Sequence, residues 1–125
     1  MKTRLICLWT ILTGFIFLSV GCGKSGTKPA TTGKPNNATY SASVDISNFT
    51  FSPASVTVLT GGVVTWTNKD AVDHTATDLG GNFDSGHINP SQTFKFTFTK
   101  AGTYTYHCAI HSMMPNATVV VVAGN

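Results

Sequence analysis

From residue 44 onward, apolar and polar side chains alternate in short runs, as they do in strands that bury one face. The clearest runs cover 94–98 and 104–108, while 44–51 alternates in part. Further short runs rich in β-forming residues occupy 56–58, 63–67, 75–77 and 118–122. No segment has the sustained 3.6-residue period of a helix. About seven or eight short strands predict an all-β fold, a Greek-key antiparallel β-sandwich.

The first 22 residues differ in character from the rest of the chain. A short basic start precedes an uncharged, largely apolar stretch over 5–20, and small residues lead to Cys22. This pattern predicts a secretory signal peptide over 1–22, because a bilayer-spanning helix needs about 20 apolar residues. Gly21 and Cys22 resemble the end of a bacterial lipoprotein signal, although Ser19 stands where such signals most often carry leucine. Cleavage at another small residue and an uncleaved anchor are the alternatives.

A polar segment over 23–39 follows the signal. It is rich in Gly, Ser, Thr, Pro, Lys and Asn, and two alanines are its only aliphatic side chains. Such a segment cannot bury a core, so it predicts a flexible linker to a single folded domain over 40–125. We therefore expect an exported protein, periplasmic or otherwise outside the cytoplasmic membrane, with a membrane tether through a lipid on Cys22.

The charge of the folded region excludes one class of partner. The formal net charge of the chain is +3, but from residue 40 onward three lysines face five aspartates, which leaves −2. A nucleic-acid-binding module presents a basic face. The domain has no such excess of basic residues, so we expect no nucleic-acid partner.

Cysteine usage singles out one thiol in the folded region. Cys7 lies in the apolar part of the signal and Cys22 lies at its end, which leaves Cys108 for the mature domain. A lone thiol in an exported domain is either an inert buried residue or a ligand. The histidine and methionines that follow Cys108 in the sequence favour its assignment as a metal ligand.

Four side chains match one kind of metal site: His74, Cys108, His111 and Met114. Two neutral imidazoles and a thiolate form a trigonal set, and a thioether adds a weak axial contact. Soft sulfur favours Cu(I) and imidazole binds both oxidation states, so the set predicts one copper ion that cycles between Cu(I) and Cu(II). Alternation places Cys108 at the end of its strand, on the face of the two preceding tyrosines. His74 follows another strand, and loops at one end of a sandwich can meet.

Two stretches carry a resemblance to a known family. The run Gly-Thr-Tyr-Thr-Tyr-His-Cys-Ala-Ile-His-Ser-Met-Met ends at Met114, and the run Val-Val-Thr-Trp-Thr-Asn leads to His74. Over residues 44–122 the chain resembles the small blue (type 1) copper proteins, the cupredoxins. The short gap between His111 and Met114 is most similar to the amicyanin-like members, and longer gaps are found in the plastocyanin-like ones. The resemblance implies that His74, Cys108 and His111 are equatorial ligands and that Met114 is axial.

Four other positions near the motif concern its surroundings or offer alternative ligands. Many cupredoxins have asparagine directly after the first histidine, where it ties the ligand loops together, but this chain has Thr75. A shorter hydroxyl puts the rigidity of that link in doubt and should tune the site. Met113 is the alternative to Met114 as axial ligand. His107 alternates outward from its strand, and His87 is expected to be solvated.

These features predict a mononuclear electron carrier, not an enzyme. The resemblance implies a protein that takes an electron from one redox protein and passes it to another. We expect it to act outside the cytoplasm, as a monomer. A copper carrier or storage module with the same ligands is the alternative, and it would exchange its metal readily. A binuclear copper centre needs two cysteines in the ligand loop, and a multicopper oxidase needs His-x-His pairs. The sequence has neither.

Overall fold

The computed structural model describes residues 37–124. The predicted signal peptide and most of the predicted linker lie outside the described residues. Within 37–124, no helix is long and apolar enough to cross a membrane.

Seven strands account for the regular structure of the described residues. They are β1 (Thr39–Ser47), β2 (Thr50–Ser52), β3 (Ser55–Asn68), β4 (Thr77–Asp78), β5 (Thr93–Phe98), β6 (Gly102–His107) and β7 (Ala117–Val122). They form two layers, β2-β1-β3-β5 and β3-β7-β6-β4, that share β3. The predicted all-β sandwich is therefore confirmed, with seven strands.

Strand β3 serves both layers because it bends in the middle. Residues 55–59 pair with β7, and residues 62–68 lie between β1 and β5. At the bend, Gly61 has a φ of +87°, and a Cβ on Gly62 would lie 2.7 Å from the carbonyl oxygen of Leu59. Only glycine fits both requirements. The runs at 56–58 and 63–67, which the sequence predicted as separate, therefore belong to one bent strand.

The sheets are mixed, which corrects the expectation of purely antiparallel pairing. β1 pairs with β3, and β3 with β7, in parallel; the other four pairings are antiparallel. Alternation tells which face of a strand is buried, but not the direction of its neighbours. Parallel neighbours need a crossover connection, and in both cases at least one other strand intervenes in the chain.

Two predicted strands differ in extent from the observed ones. Residues 44–51 belong to β1 and β2, which are separated by a tight turn at Asn48 and Phe49. The short strand expected at 75–77 is displaced to β4, because the amides of Thr75 and Ala76 donate to the side chains of Cys108 and Ser85 and not to a neighbouring strand. His74 forms an isolated bridge with Ile88. The long connection between β4 and β5 thereby packs against the end of β3.

The core is built around Trp66 of β3, which is fully buried. Its ring lies 5.4 to 6.5 Å, between centroids, from the rings of Phe83, Phe94, Phe98 and Tyr106. The predicted inward faces of β5 and β6 are thus confirmed. Phe83 comes from the irregular connection after β4, where no alternation marked it as a core residue. This aromatic core supports the end of the sandwich from which the loops after β3 and β6 emerge.

Candidate metal centre

Three predicted ligands converge at this end of the sandwich. His74 lies on the loop after β3, Cys108 directly follows β6, and His111 lies on the next turn. His74 and Cys108 are buried and His111 is half-buried. In the part of the chain that the structure describes, they are the one group of three or more His, Cys or acidic residues placed to hold a metal ion.

The donor atoms of these residues form a small triangle. Cys108 Sγ lies 3.7 Å from His74 Nδ1 and 3.6 Å from His111 Nδ1, and the two nitrogens are 3.2 Å apart. A point equidistant from the three atoms lies about 2.0 Å from each, close to the distances of roughly 2.0–2.3 Å that a metal such as zinc makes to imidazole nitrogen and thiolate sulfur. Three lone-pair atoms that converge in this way fit a bound cation, and their chemistry suits copper.

Asp70 sets the orientation of His74. Its Oδ2 lies 3.0 Å from His74 Nε2, on the side of the ring away from the triangle. The carboxylate also accepts hydrogen bonds from the amides of Asn48 at 2.7 Å and Phe49 at 3.0 Å. A proton on Nε2 leaves the Nδ1 lone pair free for a metal, which is the carboxylate–histidine arrangement common at metal sites.

The surroundings of Asp70 favour its charged form. Desolvation by burial tends to raise the pKa of its carboxyl. The amide hydrogen bonds from Phe49 and Asn48, together with the contact to His74, outweigh desolvation and lower the pKa below its usual value. In the sequence, Asp70 is only one of the five aspartates of the folded region. The signal that marks it is an acid four residues before a ligand histidine, within a single short loop.

A buried asparagine shapes the loop that carries Asp70 and His74. Asn68, at the end of β3, donates from Nδ2 to the carbonyl oxygens of Val72 at 2.7 Å and Ile88 at 2.8 Å. Its Oδ1 accepts the amide of Asp70 at 2.9 Å. One side chain therefore satisfies the backbone of a tight loop that cannot form sheet hydrogen bonds.

Thr75 links the two ligand loops, which answers the question raised by its sequence position. Its backbone N–H donates to Cys108 Sγ at 3.4 Å, and its Oγ1 accepts the amide of Ala109 at 2.7 Å. The hydroxyl oxygen also lies 3.0 Å from Thr77 Oγ1, which in turn lies 3.0 Å from Asp84 Oδ1. Despite its short side chain, Thr75 makes a direct cross-loop hydrogen bond beside the thiol.

The two adjacent methionines face different surroundings. Met114 is buried and belongs to the same apolar cluster as Cys108, whereas Met113 is 79% exposed. The amide of Met114 donates to the carbonyl of His111 at 3.0 Å, which closes the turn and brings Met114 inward. This difference in burial favours Met114 as the fourth ligand.

Phe49 is a neighbour of the site that the sequence did not reveal. Its ring meets the rings of His74 and His111 edge-on, with centroids 5.4 and 5.1 Å apart. It reaches them from the turn between β1 and β2, distant in sequence from both ligands.

Two other histidines stay outside the triangle. His107 is half-buried on β6, opposite Thr77 of β4. His87 is exposed, as predicted, and its Nδ1 contacts the carboxylate of Asp73. The hydrogen bond from His87 lowers the pKa of Asp73, more than its slight desolvation raises it.

The fold and the site together define a class of protein: the chain belongs to the cupredoxins, the small blue-copper proteins. It matches the Cupredoxin-like domain family over residues 11–121. Among curated proteins, amicyanin of Paracoccus denitrificans is 33% identical over 82 residues, which are 62% of this chain and 63% of amicyanin. The chain thus spans slightly less than two thirds of the length of that relative.

Solved structures agree with this assignment. A reduced Cu(I) form of an amicyanin mutant at pH 4 matches with a TM-score of 0.61 and 32% identity, covering 66% of this chain and 82% of that one. A copper-containing nitrite reductase from Thermus scotoductus SA-01 matches with a TM-score of 0.62, but at 23% identity and over only 23% of its chain. That second likeness shows a shared fold alone.

Proposed function

We propose that this protein carries single electrons at one type 1 copper site, which His74, Cys108 and His111 would form together with Met114 as a fourth, weaker ligand. The observation that carries the proposal is the triangle of two Nδ1 atoms and one Sγ, whose sides are 3.2 to 3.7 Å. Copper bound there supplies a one-electron couple between Cu(I) and Cu(II).

The protein's own contribution is to hold these donors in place. Asp70 keeps a proton on His74 Nε2 and so leaves Nδ1 available, and the amide of Thr75 donates to the Cys108 sulfur. Hydrogen bonding around a cysteine ligand tunes the redox potential of such sites. The hydroxyl of Thr75 ties the Cys108 loop to the His74 loop. A ligand set that is fixed before the metal binds moves little when the charge of the metal changes.

Electrons would enter and leave a copper ion bound at this site through His111. It is the half-buried member of the triangle, and exposed apolar side chains lie beside it in sequence, Ile110 at 42% and Met113 at 79% exposure. A partner with a matching apolar surface brings its own redox centre close to this ring. The partners are an electron donor and an electron acceptor, both redox proteins.

A carrier accounts for the site better than an enzyme does. Within residues 37–124 a single triangle of ligands is present, and the sequence has no His-x-His pair. The likeness to a nitrite reductase covers a small part of that enzyme and supports the fold only. We place the protein outside the cytoplasm as a monomer, with residues 1–22 as its signal, residues 23–39 as a linker and a lipid on Cys22 as its tether. The apolar start of the chain and the Gly-Cys pair support this placement.

The decisive experiment combines a visible spectrum with cyclic voltammetry of the copper-loaded protein. We expect an intense thiolate-to-copper absorption and a reversible one-electron wave. Cys108→Ser should abolish both, whereas His87→Asn, which removes an exposed histidine outside the triangle, should leave both unchanged. An intense absorption retained in Cys108→Ser would refute the ligand assignment. A wild-type protein that binds copper without a reversible wave would support the storage alternative.

A further inference from the structure

In the turn between β1 and β2, Phe49 has a backbone conformation that bulky residues rarely adopt. Asn48 and Phe49 have φ values of 52° and 58°, and Ser47 and Thr50 pair across them. Two positive φ values in a two-residue hairpin define the turn type that strongly favours Asn-Gly. Asn48 suits the first position, but Phe49 stands where glycine is preferred. A bulky residue in the left-handed region is strained, and such strain persists only where the surroundings impose it.

The surroundings that impose this conformation belong to the metal centre. The amides of Asn48 and Phe49 both donate to the carboxylate of Asp70, which also contacts His74 Nε2. The turn is therefore attached to the ligand loop through a single charged group. Burial does not explain the choice of Phe49, because its side chain remains 39% exposed.

What Phe49 contacts is the pair of ligand histidines. Its ring stands at 80° to the ring of His74 and at 84° to that of His111, in the edge-to-face geometry that aromatic rings prefer. The two histidines differ in their other support. His74 is fully buried and bonded to Asp70, whereas no protein hydrogen bond holds His111 Nε2 among the described residues.

We infer that Phe49 is a positioning residue for the metal centre, whose ring holds the His111 imidazole in its ligand orientation and covers the side of the site next to the β1–β2 turn. The strained turn brings a rigid ring to a place that no residue of the ligand loops occupies. His74 depends on it less, because the carboxylate of Asp70 holds that ring independently. The inference concerns the arrangement of the ligands and holds for an electron carrier and for a copper-storage protein alike.

The metal-free protein provides the first test, by NMR. In the wild type we expect nuclear Overhauser contacts from the Phe49 ring to the ring protons of both histidines. In Phe49→Ala the ring signals of His111 should broaden or move toward solvent-averaged positions. The Nε2–H signal of His74 should persist, because its bond to Asp70 does not involve the Phe49 side chain. Absence of the Phe49–His111 contacts in the wild type would overturn the inference.

Azide binding to the Cu(II)-loaded protein provides the second test. Phe49→Ala should bind azide roughly tenfold more tightly than the wild type, because the apolar shell around a metal site controls access from solvent and this variant removes part of it. Phe49→Tyr should restore the wild-type affinity. The matched control is Val72→Ala, which truncates an apolar side chain of similar exposure, 41%, on the His74 loop. If Phe49→Ala fails to fold, Phe49→Leu tests the same point, since it keeps apolar bulk and loses the rigid ring. If Phe49→Ala bound azide with the same affinity as Val72→Ala, the inference would be overturned.

Discussion

Replacing Asp70 with asparagine isolates the contribution of one carboxylate to the whole site. The carboxylate accepts three hydrogen bonds, from the amides of Asn48 and Phe49 and from His74 Nε2. In Asp70→Asn, one oxygen can still accept the Asn48 amide, but the new NH₂ group faces the two remaining donors. The variant therefore loses two charge-assisted hydrogen bonds, and its NH₂ group faces the N–H groups of Phe49 and His74 without an acceptor between them.

The size of the effect follows from these contacts. A hydrogen bond to a charged group contributes roughly 1.5–3 kcal/mol, and the carboxylate retains some exposure, 14% of its side chain, so we expect a loss of about 2–4 kcal/mol in the free energy of unfolding. Because Asp70 also orients His74, copper affinity should fall by roughly 10–100-fold, the usual effect of removing such a partner.

Two assays separate the stability effect from the metal effect. Chemical denaturation of the metal-free protein measures stability, and competition with a chelator measures copper affinity. Asp73→Asn is the matched control: it makes the same charge change next to His74, but its carboxylate contacts the exposed His87. If Asp70→Asn and Asp73→Asn proved equal in both assays, net charge would explain the effects and the proposed orienting role would be refuted.

Three further changes test other parts of the site. Thr75→Val should cost about 1–2 kcal/mol of unfolding free energy by leaving the Ala109 amide without an acceptor, while Thr75→Ser should retain most of it in denaturation experiments. Met114→Leu should shift the reduction potential in voltammetry, whereas Met113→Leu should not. A shift in Met113→Leu alone would assign the axial role to Met113. Burial raises the pKa of Tyr106 to about 12 in the folded protein. The contribution of neutral Tyr106 to the free energy of unfolding is therefore complete below about pH 10, the ordinary tyrosine pKa, and declines as the pH rises toward 12. At about 1.4 kcal/mol per pKa unit this decline amounts to at most about 3 kcal/mol. In Tyr106→Phe this part of the decline should be absent from denaturation curves collected between those pH values, and an unchanged decline would contradict the assignment.

Local patterns in the sequence determined the strands and the ligand chemistry. Alternation of apolar residues depends on near neighbours, so the inward faces of β5 and β6 could be predicted from the chain alone. The spacing of Cys108, His111 and Met114 is equally local, because one turn carries all three. The type of metal follows from the side chains themselves: two imidazoles, a thiolate and a thioether suit copper in any fold that brings them together.

The environment of the ligands was decided by the tertiary structure. Nothing in the sequence distinguished Asp70 from the other aspartates of the domain, and the fold places it between His74 and the β1–β2 turn. Thr75 looked like a weakened link, yet the register of the loops brings its hydroxyl to the amide of Ala109. Phe49 is 25 positions before His74 and 62 before His111 in the printed sequence, and it contacts both rings. These contacts join distant segments, and their geometry depends on strand direction and register, which residue patterns along a strand do not encode.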